Sequence, residues 1–369
     1  MMAKTLGIGI LGLHEGRTLL IGLNQPIPAT VGTNQNAPYR SNLVRAVAGC
    51  DLNEQKIASV KRECPDLFYT TDYDAMLARN DVDIIAIYTP DSVHGEHIVR
   101  AFEADKDVIC TKPIVNSLQD AQRVWQSAKK TGRKLLVGQS TRFFESFQRQ
   151  RHAFENGAIG EIELADAHYV HRMDWFYDKS QWATNSTDWV FLGLSHPVDL
   201  IRWYLGDIVE VQAYGTKSEL AQKYHVDSFD IYSVNVLSKS GKIGRIMGNY
   251  GLHELPSARN AIELMLYGSR GTSMAQYHDM RYVYTLPDGT EVKEDMLYSK
   301  RGYYFNNEVH GMHYGEFSNY ADHFANALLN DLPHSPNLRE GLETFALMEA
   351  IRQAALSGKP VHVDTAWLD

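Results

Sequence analysis

The first 140 residues contain five apolar runs in which hydrophobic positions follow one another without alternating with polar ones. They span residues 5–11, 43–50, 84–88, 107–110 and 135–138. Strands covered on both faces have this pattern, which is typical of parallel sheets. Helical segments at 53–63, 99–104 and 117–131 lie between the runs. This alternation predicts an α/β fold with a doubly wound parallel sheet.

The pattern changes after about residue 142. A helix near 147–155 leads into strand-like segments at 162–170, 209–214, 231–237, 242–248, 261–267 and 281–285. Turn dipeptides such as Ser240-Gly241 and Asp288-Gly289 favour antiparallel connections. Helices are predicted at 197–204, 320–329 and 339–356. We therefore predict two domains, residues 1–142 and 143–369, the second an α/β domain with a large, mostly antiparallel open sheet.

A glycine turn joins the first strand to the first helix. The literal G-x-G-x-x-G pattern falls on Gly7, Gly9 and Gly12, but only Gly12 follows the apolar run. In that register His14 and Arg17 take the second and third glycine positions. A helix that begins directly after such a strand offers free N–H groups to a diphosphate. The alternative, a glycine-containing core strand that binds no ligand, remains open.

Asp51 ends the second strand. A carboxylate there accepts hydrogen bonds from the hydroxyls of an adenosine ribose in dinucleotide-binding folds. The alternative is that Asp51 caps the helix predicted at 53–63.

Composition limits the possible partners. The chain has 36 Lys and Arg against 45 Asp and Glu, a net charge of −9, which argues against a nucleic-acid or anionic-membrane partner. No apolar run is long enough to span a membrane, and the N-terminus lacks a signal sequence, so we expect a cytoplasmic protein. Cys50, Cys64 and Cys110 form neither a metal-ligand spacing nor an even disulfide set, and we expect no metal site.

An ordered set of motifs then resembles one family. Thr89-Pro90 precedes His94, Lys112-Pro113 ends a later strand, and residues 137–143 and 195–199 follow. This order resembles the Gfo/Idh/MocA oxidoreductases. The resemblance implies an N-terminal Rossmann domain, a C-terminal domain whose sheet forms an oligomer interface, and hydride transfer between NAD(P) and a sugar or polyol hydroxyl.

The resemblance also implies the roles of individual residues. Lys112 and His196 are the implied catalytic groups, and substrate contacts are expected at Lys112, Arg142, His196 and Asp199. Cofactor contacts are expected at Gly12, Leu13, His14, Glu15, Asp51, Thr89, Pro90, His94, Thr111 and Gln139. A surface position for Lys112 and a helix-capping role for His196 are the structural alternatives.

Two positions depart from the family pattern. The Glu of the family's Glu-Lys-Pro motif is Thr111 here, and the Asp that normally lies four residues before the catalytic His is Leu192. Asp188 lies close in sequence to Leu192 and is a candidate substitute. Without the usual Asp, we expect Lys112 to carry most of the acid–base chemistry.

Residues 171–177 are rich in aromatic side chains, and Trp182 and Trp189 follow. Aromatic faces stack on sugar rings while Arg hydrogen-bonds to hydroxyls, which makes Arg172 and Trp175 candidate substrate contacts. Packing of the same side chains in the core is the alternative.

The main hypothesis is an NAD(P)-dependent dehydrogenase of a sugar, glycoside or cyclitol that forms a homodimer or homotetramer. NAD is expected rather than NADP, because Asp51 repels a 2′-phosphate and Leu52 and Asn53 provide no cation, although Arg17 could. Two rival hypotheses are a glycoside-cleaving enzyme that recycles tightly bound NAD and a non-catalytic nucleotide or sugar sensor.

Overall fold

The structure, a computed structural model, describes residues 4–24, 42–252, 261–285, 287–296 and 315–369. Within these ranges the chain forms two compact units. The first takes the described residues up to Ser140 together with 315–341, and the second takes those from Thr141 to 296 together with 342–369. The predicted division at residue 142 stays a prediction, but the segment 315–341, which we had placed in the second domain, groups with the first unit.

The first unit is built on a six-stranded sheet in which every pair of neighbouring strands is parallel. Its strands are β1 (Leu6–Leu11), β2 (Val44–Cys50), β3 (Phe68–Thr70), β4 (Ile84–Ile87), β5 (Asp107–Thr111) and β6 (Leu135–Gly138). The spatial order is β3-β2-β1-β4-β5-β6, the order of a Rossmann fold. The intervening helices are α1 (Gly16–Asn24), α2 (Glu54–Glu63), α3 (Tyr73–Leu77), α4 (His94–Glu103) and α5 (Leu118–Thr131). The doubly wound sheet is confirmed.

The second unit is built on a nine-stranded sheet. Its strands are β7 (Ile162–Val170), β8 (Ile208–Thr216), β9 (Ile231–Ser238), β10 (Ile243–Asn249), β11 (Ala261–Gly268), β12 (Gly271–Tyr277), β13 (Arg281–Thr285), β14 (Glu291–Asp295) and β15 (Val361–His362). The order is β14-β13-β12-β11-β7-β10-β9-β8-β15, and only β7 and β10 pair in parallel. The mostly antiparallel sheet is confirmed, although β12, β14 and β15 were not predicted.

Seven further helices complete the described chain. They are α6 (Glu145–Glu155), α7 (Asp174–Lys179), α8 (Trp189–Leu192), α9 (Ser195–Leu205), α10 (Glu219–Lys223), α11 (Glu316–Asn330) and α12 (Leu338–Ser357). Helix α9 packs on β7, β10 and β11 and covers one face of the second sheet. Among the described helices, none is long and apolar enough to cross a bilayer.

The opposite face of the second sheet, which we call the outer face, carries alternate residues of each strand. Val234 and Ile246 point into the core, whereas their neighbours on β9 and β10 are exposed. Leu237 lies directly across from Ile243 on this face. The exposed large apolar side chains of these strands are Tyr214, Leu237, Ile243, Met247 and Tyr267.

The register of the first sheet brings the ends of its strands to one edge. Leu11 pairs with both Cys50 and Ile87, and Ile87 pairs with Cys110. One step further, Thr111 pairs with Gly138. The residues that follow these strands therefore lie along the carboxyl edge, where sheets of this type bind ligands.

Candidate active site

Gly12 makes the turn between β1 and α1. Its φ is +89°, and a Cβ atom at this position would lie 2.6 Å from the carbonyl oxygen of Tyr88. Its own N–H donates to the Cys50 carbonyl at 2.8 Å. Both the backbone conformation and the available space require glycine, as the sequence predicted for this turn.

Gly16, rather than the residue at position 17, lets α1 approach the sheet. A Cβ atom on Gly16 would lie 2.5 Å from Ile10 Cγ2 and 3.0 Å from Tyr88 Cδ2. Arg17 forms an ion pair with Glu63 instead. The assignment of the third glycine position to residue 17 was wrong by one residue, because the turn here is one residue shorter than the fingerprint requires. The glycine itself was visible in the sequence.

Asp51 is oriented by backbone donors. Its Oδ2 accepts from Leu13 N and its Oδ1 from Asn53 N, both at 2.8 Å. The side chain of Asn53, not of Asp51, caps α2 by accepting from Gln55 N. The capping alternative for Asp51 was therefore wrong. Lys56, in the first turn of α2, has its Nζ 3.9 Å from Asp51 Oδ2 and provides the nearby cation that Leu52 and Asn53 do not.

Lys112 directly follows β5 and is half-buried. Burial lowers the pKa of its ammonium group to about 8, and the negative charges of Asp91 and Glu15 oppose this shift. An ordinary exposed surface lysine would keep a pKa near 10.4. The surface alternative does not fit this environment, and the amine is suited to exchange protons near neutral pH.

Gln139 follows β6, which pairs with β5, so it leaves the sheet beside Lys112. It is 2% exposed, and its Oε1 has no hydrogen-bond partner in the part of the chain that the structure describes. A buried acceptor without a partner is costly unless a bound molecule supplies a donor. This oxygen is a candidate ligand contact.

His94 bridges two loops at the carboxyl edge. Its Nδ1 lies 2.7 Å from the Pro113 carbonyl oxygen and its Nε2 lies 2.7 Å from that of Thr89. Burial lowers the pKa of His94, whereas Asp91 and the two carbonyls act in the opposite direction. The resemblance placed His94 beside the cofactor; here both ring nitrogens contact the backbone of the protein.

Arg142 and Asp199, two expected substrate contacts, contact each other in the second unit. Arg142 Nε donates to Asp199 Oδ2 at 2.7 Å and Nη2 to Oδ1 at 2.8 Å, and both side chains are buried. The guanidinium also lies 5.2 Å from the centre of the Trp203 ring, and Thr344 Oγ1 lies 3.5 Å from Asp199. Their roles in substrate binding stay predictions.

His196 is the second residue of α9 and is buried, with its ring 5.8 Å from that of Tyr169. Leu194 occupies the N-cap position, so the capping alternative for His196 was wrong. Asp188 caps α8 instead, accepting from Val190 N and from the Tyr232 hydroxyl. Its carboxylate is therefore already engaged at the start of that helix.

Some side chains of the aromatic segment pack in the core and others are exposed, so the sequence alternatives of core packing and substrate contact concern different residues. Trp189 is buried and stacks on Tyr250 with ring centres 4.6 Å apart, as core packing requires. Trp175 is 41% exposed, and its Nε1 donates to His171 Nε2 at 3.1 Å. Next to it, Arg172 Nε donates to Asp174 at 2.7 Å. Trp175 is thus the exposed ring of this segment, although the Lys179 ammonium lies 5.2 Å from its ring centre.

Sequence comparisons bear on both units. The family model for an oxidoreductase family with an NAD-binding Rossmann fold (GFO_IDH_MocA) matches residues 17–139. The model for the C-terminal alpha/beta domain of the same oxidoreductase family matches residues 151–363. Together the two models match most of the chain.

Two individual relatives share less than 30% sequence identity with this chain over the matched segments. An inositol 2-dehydrogenase of Rubrobacter xylanophilus is 24% identical over 245 residues, 64% of this chain and 65% of the relative. A 1-carboxy-3-chloro-3,4-dihydroxycyclohexa-1,5-diene dehydrogenase of Comamonas testosteroni is 27% identical over 185 residues, 49% of this chain and 46% of the relative. The matched segments thus span less than two thirds of these relatives. The solved structure of a levoglucosan dehydrogenase with NADH and levoglucosan has a TM-score of 0.81 at 19% identity, covering 98% of this chain and 100% of that one.

The buried pair of Arg142 and Asp199 gives a stability prediction. We expect Asp199→Ala to lower the free energy of unfolding by about 3–5 kcal/mol, because it leaves a buried guanidinium without its counter-charge. Replacing both residues, as in Arg142→Leu with Asp199→Leu, should cost less than the single change. Urea unfolding measures both.

Lys293→Ala provides the matched control, since it breaks an exposed ion pair with Glu291. Such pairs contribute less than about 1 kcal/mol. A loss for Asp199→Ala no larger than that of the control would contradict the structural importance of the buried pair.

Proposed function

Because this chain belongs to the Gfo/Idh/MocA oxidoreductase family, we propose that it is an NAD-dependent dehydrogenase that oxidises a secondary hydroxyl of a sugar, glycoside or cyclitol. Its N-terminal unit is the NAD-binding Rossmann domain of that family. The substrate class is proposed from relatives named for inositol and from structural neighbours bound to levoglucosan and L-sorbose.

The observation that carries the proposal is the state of Lys112. A lysine at the carboxyl edge of the sheet, with its pKa lowered to about 8 by burial, is a base near neutral pH. A sensor that performs no chemistry has no need of such a group. The perturbed lysine therefore favours an enzyme over the sensor hypothesis.

The residues at the carboxyl edge fit the cofactor. Gly12 permits the tight turn that starts α1, because a Cβ atom there would meet the Tyr88 backbone, and a helix that begins at such a turn offers N–H groups to a diphosphate. Each oxygen of Asp51 accepts one backbone N–H and retains a lone pair for a ribose hydroxyl. Gln139 Oε1 adds a buried acceptor without a partner among the described residues. NAD bound there would supply the carbon that accepts the hydride.

The protein's own contribution is to remove a proton. Oxidation of a secondary alcohol releases one hydride and one proton, and the neutral amine of Lys112 accepts the hydroxyl proton at Nζ. The proton then leaves as the ammonium group exchanges with solvent, to which the half-buried side chain retains access. His196 orients the substrate hydroxyl as a secondary group.

The exposed ring of Trp175, over which the Lys179 ammonium lies 5.2 Å from the ring centre, is a candidate platform for a sugar or cyclitol ring. Its indole N–H is already bound to His171, which fixes the ring plane, and 41% of the residue stays exposed. Arg172 beside it, which pairs with Asp174, is the proposed polar contact for the hydroxyls. A ring with one apolar face and several equatorial hydroxyls suits this arrangement.

A substrate screen tests the proposed function. Purified protein is incubated with sugars, glycosides and inositols, each with NAD and with NADP, and the absorbance of the reduced nicotinamide is followed. We expect NADH to accumulate with at least one ring alcohol. Release of an aglycone without NADH would indicate the glycoside-cleaving rival, and binding of cofactor and sugar without turnover would indicate the sensor.

Lys112→Met should lower kcat by about 10²–10⁴-fold, because it removes the base and keeps the length of the side chain. NAD affinity should stay nearly unchanged.

In the unmodified enzyme the rate of oxidation should rise with pH through about 8, since only the deprotonated amine accepts a proton.

His196→Ala should raise the apparent KM more than it lowers kcat. The reverse pattern for the Lys112 and His196 variants would exchange the roles of these two residues.

NAD should bind at least roughly tenfold more tightly than NADP, a difference of about 1.4 kcal/mol. The reason is repulsion between the Asp51 carboxylate and a 2′-phosphate, and the pairing of Arg17 with Glu63 keeps that cation engaged. Isothermal titration with both cofactors measures the ratio, which Asp51→Ser should reduce. Tighter binding of NADP would contradict this preference.

Assembly into a homodimer or homotetramer through the outer face is the remaining proposal. The exposed apolar side chains of β8–β11 would otherwise leave a large apolar area in water. We expect light scattering at micromolar concentration to show an oligomer and Ile243→Glu to shift it towards monomer. Gln119→Glu, which adds the same charge at an exposed position of α5, is the control. A monomeric wild-type protein would contradict the proposal.

A further inference from the structure

Asp91 is a buried carboxylate at the carboxyl edge that the sequence motifs did not identify. It begins the short 3₁₀ turn Asp91–Val93, which connects Thr89-Pro90 to α4, and it is 3% exposed. A charged carboxylate is almost never this buried unless other groups stabilise its charge. Its surroundings therefore indicate its role.

The fold brings this turn close to Lys112. Strand β4 pairs with β5 so that Ile87 lies opposite Cys110, and the two chains leave the sheet side by side. His94, three residues after Asp91, contacts the carbonyls of Thr89 and Pro113 and so ties the two exits together. The loop that carries Asp91 and the loop that carries Lys112 are thus held to each other by one imidazole ring.

Within the described ranges, the charged and titratable groups around this junction include Glu15, Tyr88, Asp91, His94, His97, Cys110, Glu316 and Tyr320. Two of them are carboxylates that favour the charged form of Lys112, Asp91 first and Glu15 second. The side chain of Glu15 is 41% exposed and lies 3.7 Å from that of His14. Water screens such a charge, whereas a buried one acts through a medium of lower polarity.

We infer that Asp91 is a positioning residue for Lys112 and supplies the acidic neighbour that Thr111 does not provide. The family pattern places a Glu directly before the lysine, and this chain has lost it. Here the carboxylate comes from the loop after the adjacent strand, and His94 fixes that loop in place. The inference rests on the proposed function of Lys112 as the base.

The carboxylate prevents the lysine from losing too much basicity. Burial alone would lower the pKa of Lys112 further than the value of about 8 that it has beside Asp91. A weaker base accepts the hydroxyl proton with less driving force, so a compensating negative charge keeps the amine near the working pH.

The test compares neutral replacements of Asp91 with matched controls. Asp91→Asn and Asp91→Ser remove the charge, Glu15→Gln removes the more exposed carboxylate, and Asp91→Asn with Thr111→Glu restores a carboxylate at the family's position. The pKa of Lys112 is measured by competitive labelling with acetic anhydride at a series of pH values, read by peptide mass spectrometry, which requires no substrate. Thermal unfolding identifies the variants that fold.

We expect the pKa of Lys112 to fall by roughly one unit in the folded Asp91 variants, by less than half of that in Glu15→Gln, and to recover in the double variant. The pH profile of kcat should move by the same amount. An unchanged pKa in either folded Asp91 variant, or a larger shift from Glu15→Gln, would overturn the inference. A shifted pKa in a protein without dehydrogenase activity would support the role of Asp91 and refute the proposed function instead.

Discussion

The parallel register of the first sheet is the constraint on which its site depends. Leu11 pairs with strands on both sides, so the glycine turn, Asp51 and the loop after β4 all begin at the same level. The pairing of β5 with β4 and β6 adds Lys112 and Gln139 to that level. Because parallel strands present identical ends at one edge, residues far apart in sequence become neighbours without any direct contact to specify it.

Burial and nearby negative charges act in opposite directions on the pKa of the lysine at this edge. Burial lowers the pKa of Lys112, and nearby carboxylates keep it from falling further. The geometry of this edge is also fixed before any ligand binds. His94 contacts two backbone carbonyls, and backbone N–H groups orient the Asp51 carboxylate. Such preorganisation reduces the entropy that a cofactor or substrate would otherwise have to overcome on binding.

In the second unit, the residues expected to meet substrate divide into structural and open groups. Arg142 and Asp199 satisfy each other in the interior, and Trp189 packs on Tyr250. Trp175 is held by His171 and is 41% exposed. The same residue types thus occur both in the core and at the surface, and their neighbours determine which. A buried charge requires a partner, whereas an exposed aromatic ring does not.

The sequence by itself determined the presence of the two sheets, the position of Gly12 and the existence of the long helices, because apolar periodicity and glycine turns are local signals. It could not determine β12 and β14, whose small or charged residues become strands only by pairing with neighbours. Nor could it determine the packing role of Gly16, the partner of Arg142 or the carboxylate beside Lys112. These depend on which distant residues the chain brings together, and close packing and burial, rather than local preference, set their energies.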